Sequence, residues 1–162
     1  MNPFEQAMRM ELEAEKFYKN MAEKTSDSKL KGLLIMLADE ETKHYKTFEK
    51  MSKNLALGDV ASFDIQEVVR KVFSSIKEEK KRYNFSDEQV ALYKKAAIAE
   101  DRAYEFYLQK AQEIENEAQK QAFLAIAKEE KKHQELLENL ADFVESPSIW
   151  LESAEFYRII EE

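Results

Sequence analysis

A separation of 89 residues relates the two halves of this chain, and it falls on residue types that hold metals. Both histidines close a Glu-x-x-His run, Glu41-Thr42-Lys43-His44 and Glu130-Lys131-Lys132-His133, and each run has a lone glutamate upstream, Glu11 and Glu100. The same separation relates Ala14 to Ala103, Phe17 to Phe106, Tyr18 to Tyr107, Ala22 to Ala111 and Ala38 to Ala127. With no insertion between matched positions, the chain reads as one two-helix unit used twice. The middle stretch, about residues 58–86, has no counterpart and must connect the two units.

Composition makes those units helical. Two glycines and two prolines in 162 residues, against 36% Asp, Glu, Lys and Arg, leave few breakers among many helix formers. The length suits one domain with a sizeable core. A net charge of −8 without a basic stripe argues against nucleic acid as a partner. No apolar run is long enough for a membrane span. The start, Met1-Asn2-Pro3-Phe4-Glu5, lacks the basic-then-apolar pattern of a signal peptide, so a cytoplasmic location is expected. The absence of cysteine excludes disulfides, zinc knuckles and thiolate-bound iron.

Helix boundaries follow from caps. Asn2-Pro3-x-Glu5 predicts a helix to about Lys24, broken at Thr25-Ser26-Asp27. A second runs from about Ser28 to Leu57 and ends at Gly58. Asp64-x-x-Glu67 resembles a capping box for a middle helix carrying Ile65, Val68, Val69, Val72, Phe73 and Ile76, finishing near Tyr83-Asn84. Ser86-x-x-Gln89 caps a third helix to about Ile114, and a fourth spans about Glu117 to Val144. Ser146-Pro147 opens one short C-terminal helix with Trp150 and Phe156. The predicted organisation is a single domain: hairpin one over about 3–57, a crossover over about 58–86, hairpin two over about 87–144 and a C-terminal helix over about 147–160.

The candidate ligands lie in the buried seams of these helices. Leu34, Leu37, Glu41, His44 and Phe48 recur at spacings of three and four, as do Phe123, Ile126, Glu130, His133 and Leu137. Ala7-Glu11-Ala14-Tyr18 and Ala96-Glu100-Ala103-Tyr107 make the matching seams, and small Ala14 and Ala103 leave space beside the carboxylates. Glu11 and Glu41 are each 15 residues from the turn at position 26, and Glu100 and Glu130 each 15 from position 115. At 1.5 Å per residue all four glutamates fall in one layer, roughly 22 Å from either turn. Four carboxylates in an apolar layer would repel and lose hydration, and two divalent cations cancel their charge with both histidines neutral. Carboxylate-rich ligation with two imidazoles, a two-metal ligand set, suits iron or manganese.

These residues resemble the rubrerythrin-type branch of the ferritin-like superfamily, whose repeated pattern is Glu…Phe-Tyr…Leu-Ala-x-x-Glu-x-x-His. Here it reads Glu11, Phe17-Tyr18, Leu37-Ala38 and Glu41-x-x-His44, then Glu100, Phe106-Tyr107, Ile126-Ala127 and Glu130-x-x-His133. The resemblance implies an all-α fold, a four-helix bundle with a long crossover. It implies that Glu41 and Glu130 bridge two iron ions, with Glu11 and His44 completing one site and Glu100 and His133 the other. Two departures stand out. The family often has a further glutamate where this chain has Ala103, and it often carries a rubredoxin domain, which a chain without cysteine lacks.

Other candidates carry less. Tyr18 and Tyr107, two turns past a ligand glutamate, are expected to bond a ligand carboxylate or to be core aromatics. Glu15 reads as a solvated or half-buried acid rather than an added ligand. Glu40 and Glu129, about 100° round the helix from the ligands, read as outer-face charges, and Lys43 and Lys132 as solvated. Trp150, Phe156 and Tyr157 are expected to pack on the bundle or on a second subunit. The functional expectation is a di-iron oxidoreductase reducing hydrogen peroxide or dioxygen, re-reduced by a rubredoxin-like donor, and working as a homodimer or larger homo-oligomer. Iron storage and manganese catalase chemistry are the alternatives.

Overall fold

The computed structural model describes residues 2–58, 65–79 and 82–161. Among them α1 (Pro3–Glu23) and α2 (Ser28–Ser52) form one antiparallel hairpin, and α4 (Asp87–Glu113) and α5 (Glu117–Glu145) form the other. Between the hairpins runs α3 (Ile65–Glu79), and α6 (Pro147–Leu151) and α7 (Ala154–Glu161) follow α5. This is the all-α bundle with an extra crossover helix that the repeat predicts.

Side-chain caps start the long helices. Asn2 Oδ1 accepts from the Glu5 amide at 2.9 Å, and Asp27 Oδ1 accepts from the Lys29 and Leu30 amides at 3.0 and 3.1 Å. Ser86 and Gln89 make the reciprocal capping box, and Asn116 accepts from the Gln119 amide at 3.0 Å. Ser86→Ala is expected to cost about 1 kcal/mol. In thermal unfolding that is a fall of roughly 2–4 °C, and no fall at all would mean α4 does not rely on its cap.

Two boundaries differ from expectation. Helix α2 stops at Ser52 rather than near Leu57, because Asn54 takes a left-handed conformation (φ 54°) and the Leu55 amide folds back onto the Lys50 carbonyl at 2.9 Å. Asparagine thus ends the helix before Gly58 is reached. The single C-terminal helix is two, since Ser153 ends one turn and its Oγ caps the next, accepting from the Phe156 amide at 3.2 Å. The middle helix ends at Glu79, short of Tyr83-Asn84, and its Asp64 cap lies outside the described residues.

The apolar core is divided in two. One part, around Leu34, Phe73, Tyr93, Leu140 and Phe143, gathers the end of α1, the start of α2, the start of α4 and the end of α5. The other, around Ala7, Phe48, Tyr107, Phe123 and Ile126, gathers the opposite ends. Hairpin two therefore lies upside down on hairpin one, and a polar layer separates the two halves. The crossover helix seals the first half. Phe73 is fully buried, with ring centroids 4.9 Å from Trp150, 5.9 Å from Phe143 and 6.4 Å from Phe156. Each such ring withdraws about 150–250 Å² from water, worth about 4–6 kcal/mol by area. Lys77 Nζ holds α3 to the C-terminal helices by donating to the Leu151 carbonyl at 3.2 Å and the Tyr157 hydroxyl at 2.5 Å.

Candidate metal centre

The polar layer is built from the six residues singled out by the repeat. Glu11 comes from α1, Glu41 and His44 from α2, Glu100 from α4, and Glu130 and His133 from α5, and none is more than 3% exposed. They form two overlapping groups. Glu11, Glu41, His44 and Glu130 bring one donor atom each within 4.8 Å of one another, and so do Glu41, Glu100, Glu130 and His133. Glu41 and Glu130 belong to both.

Contacts cross between hairpins. His44 Nδ1 is 2.7 Å from Glu130 Oε1 and 3.5 Å from Glu11 Oε2, but 3.9 Å from Glu41 on its own helix. His133 Nδ1 repeats this arrangement, 2.9 Å from Glu41 Oε1, 3.7 Å from Glu100 and 3.9 Å from Glu130. The two imidazoles lie nearly parallel, centroids 6.1 Å apart.

Tyr18 and Tyr107 sit beside the layer and bond its carboxylates, again across the hairpins. The Tyr107 hydroxyl donates to Glu11 Oε1 at 2.8 Å, and the Tyr18 hydroxyl donates to Glu100 Oε1. Burial and the neighbouring carboxylates push both phenols well up, so they stay protonated donors. Each fixes one oxygen of its glutamate. The other oxygen, Oε2 of Glu11 and of Glu100, is buried with no hydrogen-bond partner, and His44 Nδ1 and Glu130 Oε1, 2.7 Å apart, meet without hydrogen-bond geometry.

Those four atoms test whether a metal fits. All bear lone pairs, and burying them unpaired costs about 1–3 kcal/mol each. Donors about 2.1 Å from one ion lie within about 4.2 Å of each other. The spacing found approaches that, and a divalent ion in each group would satisfy these four atoms. The donor set fits.

Without an ion, protons compensate. Burial, then the charge of Glu41, holds the Glu11 carboxyl well above its ordinary range, and burial with Glu100, Glu11 and Glu41 does the same to Glu130. Burial also raises Glu41, but bonds from Glu11 and both histidines outweigh it and hold that group well below. Burial alone would lower both imidazoles, and the surrounding carboxylates raise them instead.

Glu40 and Glu129 correct the expectation of outer-face charges. They are only 5% and 9% exposed, and each accepts from the outer nitrogen of the opposite hairpin's histidine. His133 Nε2 donates to Glu40 Oε2 at 2.9 Å, and His44 Nε2 donates to Glu129 Oε2. The reason is geometric. A bundle helix is covered on two sides, so a residue 100° from the seam can face a neighbouring helix instead of water. Glu40 and Glu129 each stand four residues before a histidine of their own helix, a spacing that brings them to the histidine side but does not reveal the partner on the other hairpin. Holding Nε2–H on a carboxylate leaves the Nδ1 lone pair facing the cluster. Glu129→Ala or Glu40→Ala is therefore expected to weaken metal binding about 10–100-fold, and the glutamine variants less. Wild-type affinity in a competitive chelator titration of both alanine variants would remove this role.

The remaining candidates stay out of the layer. Glu15 pairs with Lys19 at 2.6 Å, which lowers its carboxyl, Lys43 is exposed and Lys132 half-buried. One side of the layer opens into a cleft of about 280 Å³ between α1 and α4, walled in part by Ala14 and Ala103 and floored by Glu11, Glu41, Glu100 and Glu130. Among the described residues no helix is long and apolar enough to cross a membrane.

No curated protein and no solved structure matches this chain. A family model described as Rubrerythrin matches residues 3–141, from the first turn of α1 nearly to the end of α5. With both hairpins and the whole carboxylate layer inside that match, the chain belongs to the rubrerythrin family of di-iron carboxylate proteins, within the ferritin-like superfamily.

Proposed function

We propose that the protein is an oxidoreductase that holds two iron ions in the carboxylate layer and reduces hydrogen peroxide or dioxygen there. One observation carries the reading: the α1–α4 cleft reaches down to the layer, where Glu11, Glu41, Glu100 and Glu130 line it with no more than 3% of their surface exposed. Structural metal sites are closed by protein, whereas reactive ones keep an open side. Glu41 and Glu130, shared by both groups, would bridge the ions. Glu11 with His44, and Glu100 with His133, would complete one ion's ligands each. Two ferrous ions supply the two electrons needed to break an O–O bond.

The chain's own part is positional. Tyr18 and Tyr107 hold the outer oxygens of Glu100 and Glu11, so the inner oxygens stay turned to the ions. Glu40 and Glu129 hold the imidazoles in the tautomer that ligates through Nδ1. The apolar cleft walls limit water around the reacting group. Electrons for the next cycle would come from a separate donor of rubredoxin type.

The test is anaerobic loading with ferrous iron, metal counting, and addition of one equivalent of peroxide. About two irons per chain, both oxidised by that single equivalent, are expected. Continued uptake of iron far beyond this would replace the reading with storage. Binding of no iron would remove it.

A further inference from the structure

The cleft above the metal centre is far larger than hydrogen peroxide requires. It encloses about 280 Å³. A protein cavity of about 150 Å³ takes up benzene, while one water's share of liquid is about 30 Å³. On that scale the cleft accommodates an organic molecule of about eleven non-hydrogen atoms. Its walls suit such a body, since Ala14 and Phe17 of α1 and Ala96, Ala99 and Ala103 of α4 make an apolar sleeve. Alanines keep that sleeve open, and a longer side chain at any of them would fill it.

The rim is basic. Lys95 and Arg102 line it from α4, while the rim carboxylate Glu13 is paired with Arg9 at 3.3 Å. Lys95 Nζ stands 5.6 Å from the centre of the Phe17 ring, so a positive charge overhangs the apolar wall. From carboxylate floor to rim, the cleft offers a redox end, an apolar middle and a cationic mouth.

We propose that this cleft binds organic hydroperoxides that have an apolar body and an anionic outer end, with the peroxide group against the carboxylate floor and the charge near Lys95 and Arg102. The inference rests on the oxidoreductase reading above. The hydroperoxide is reduced to its alcohol and one water. Breaking the O–O bond takes two electrons, which two ferrous ions held by the layer would supply in becoming ferric, and two protons from solvent. A separate one-electron donor returns the iron to the ferrous state.

Three oxidants test this on the iron-loaded protein: hydrogen peroxide, cumene hydroperoxide, and cumene hydroperoxide bearing a para-carboxylate. Cumene hydroperoxide is expected to exceed hydrogen peroxide in kcat/KM by at least about tenfold, the least that one well-buried methylene contributes. The carboxylate should add to this, and Lys95→Ala should remove the addition. Ala99→Phe, on an exposed position of α4, should lower the ratio of organic to hydrogen peroxide kcat/KM by about tenfold or more. Binding is read separately, by anaerobic calorimetry of the same protein with the para-carboxylated product alcohol. Saturable binding with Kd below about 1 mM, weakened in Ala99→Phe, is expected.

If hydrogen peroxide oxidises the iron and the organic peroxides react no faster, this inference fails while the oxidoreductase reading stands. If no peroxide oxidises the iron, the oxidoreductase reading fails and the proposed reaction goes with it, even where the alcohol binds. Absence of saturable alcohol binding overturns the inference in every case. If Ala99→Phe then also forms a smaller assembly, the cleft belongs to a second copy of the chain.

Discussion

Replacing Glu130 by alanine is expected to leave a folded protein that no longer holds two metal ions at once. Glu130 belongs to both donor groups, and its Oε1 lies 2.7 Å from His44 Nδ1, so its loss takes a donor from each ion. Metal content should fall from about two per chain to one or none, and affinity should drop beyond the roughly 100-fold that loss of an outer partner costs. Folding should survive. Burial with the crowding of Glu100, Glu11 and Glu41 holds the Glu130 carboxyl high, so in the metal-free state its removal takes away a desolvated, proton-bearing acid rather than a stabilising charge. Metal-free Glu130→Ala should melt no lower than the wild type, while its gain on loading largely disappears. Glu135→Ala, exposed on the same helix, is the control. A variant that titrates two ions like the wild type would end the bridging role.

Stripping the metal should be the largest stability change open to this protein without mutation. A ligand that binds only the folded state at a thousand times its Kd adds about 4 kcal/mol per site. At roughly 2–4 °C per kcal/mol for a chain of this size, chelation should lower the melting temperature by at least about 10 °C. The sign of its pH dependence follows from the layer. Glu11, Glu130, His44 and His133 have raised pKa values in the metal-free protein, so they keep protons to higher pH than the free side chains do, and an incoming ion must displace those protons. Loading therefore releases protons, and the metal-dependent gain should shrink as the pH falls. Identical melting with and without chelator, or a gain indifferent to pH, would contradict the assignment of these residues to a metal.

Much of the fold was written in spacing. Caps at Asn2 and Ser86 can be read in the sequence, and each starts the helix it should; Asp27 and Asn116, not singled out as caps there, start the other two. The seam through Glu41, His44 and Phe48 could be read because periodicity reports the direction in which a side chain leaves its helix. Periodicity does not report what a neighbouring helix puts there. That is why Glu40 and Glu129 were misread, since only the packing of α2 on α5 turns their direction from water to histidine. The end of α2 was missed for another reason. A glycine four residues later was the stronger signal, yet Asn54 tolerates the left-handed conformation and ended the helix first. The break at Ser153 depends on a single cap in a short segment, too little for periodicity to register.

The cross-bracing of the histidines has a consequence for how the chain comes together. Each imidazole is steadied by a carboxylate of the other hairpin, and Glu11 and Glu100 each by a tyrosine of the other hairpin. Neither half of the repeat owns a finished binding site. The layer is complete only when the two hairpins have docked head to tail, and an ion bound there would act as a latch between them. On the proposed reading, iron supply and completion of the tertiary structure would be tied into one event, and an unlatched chain would be the form most open to proteolysis.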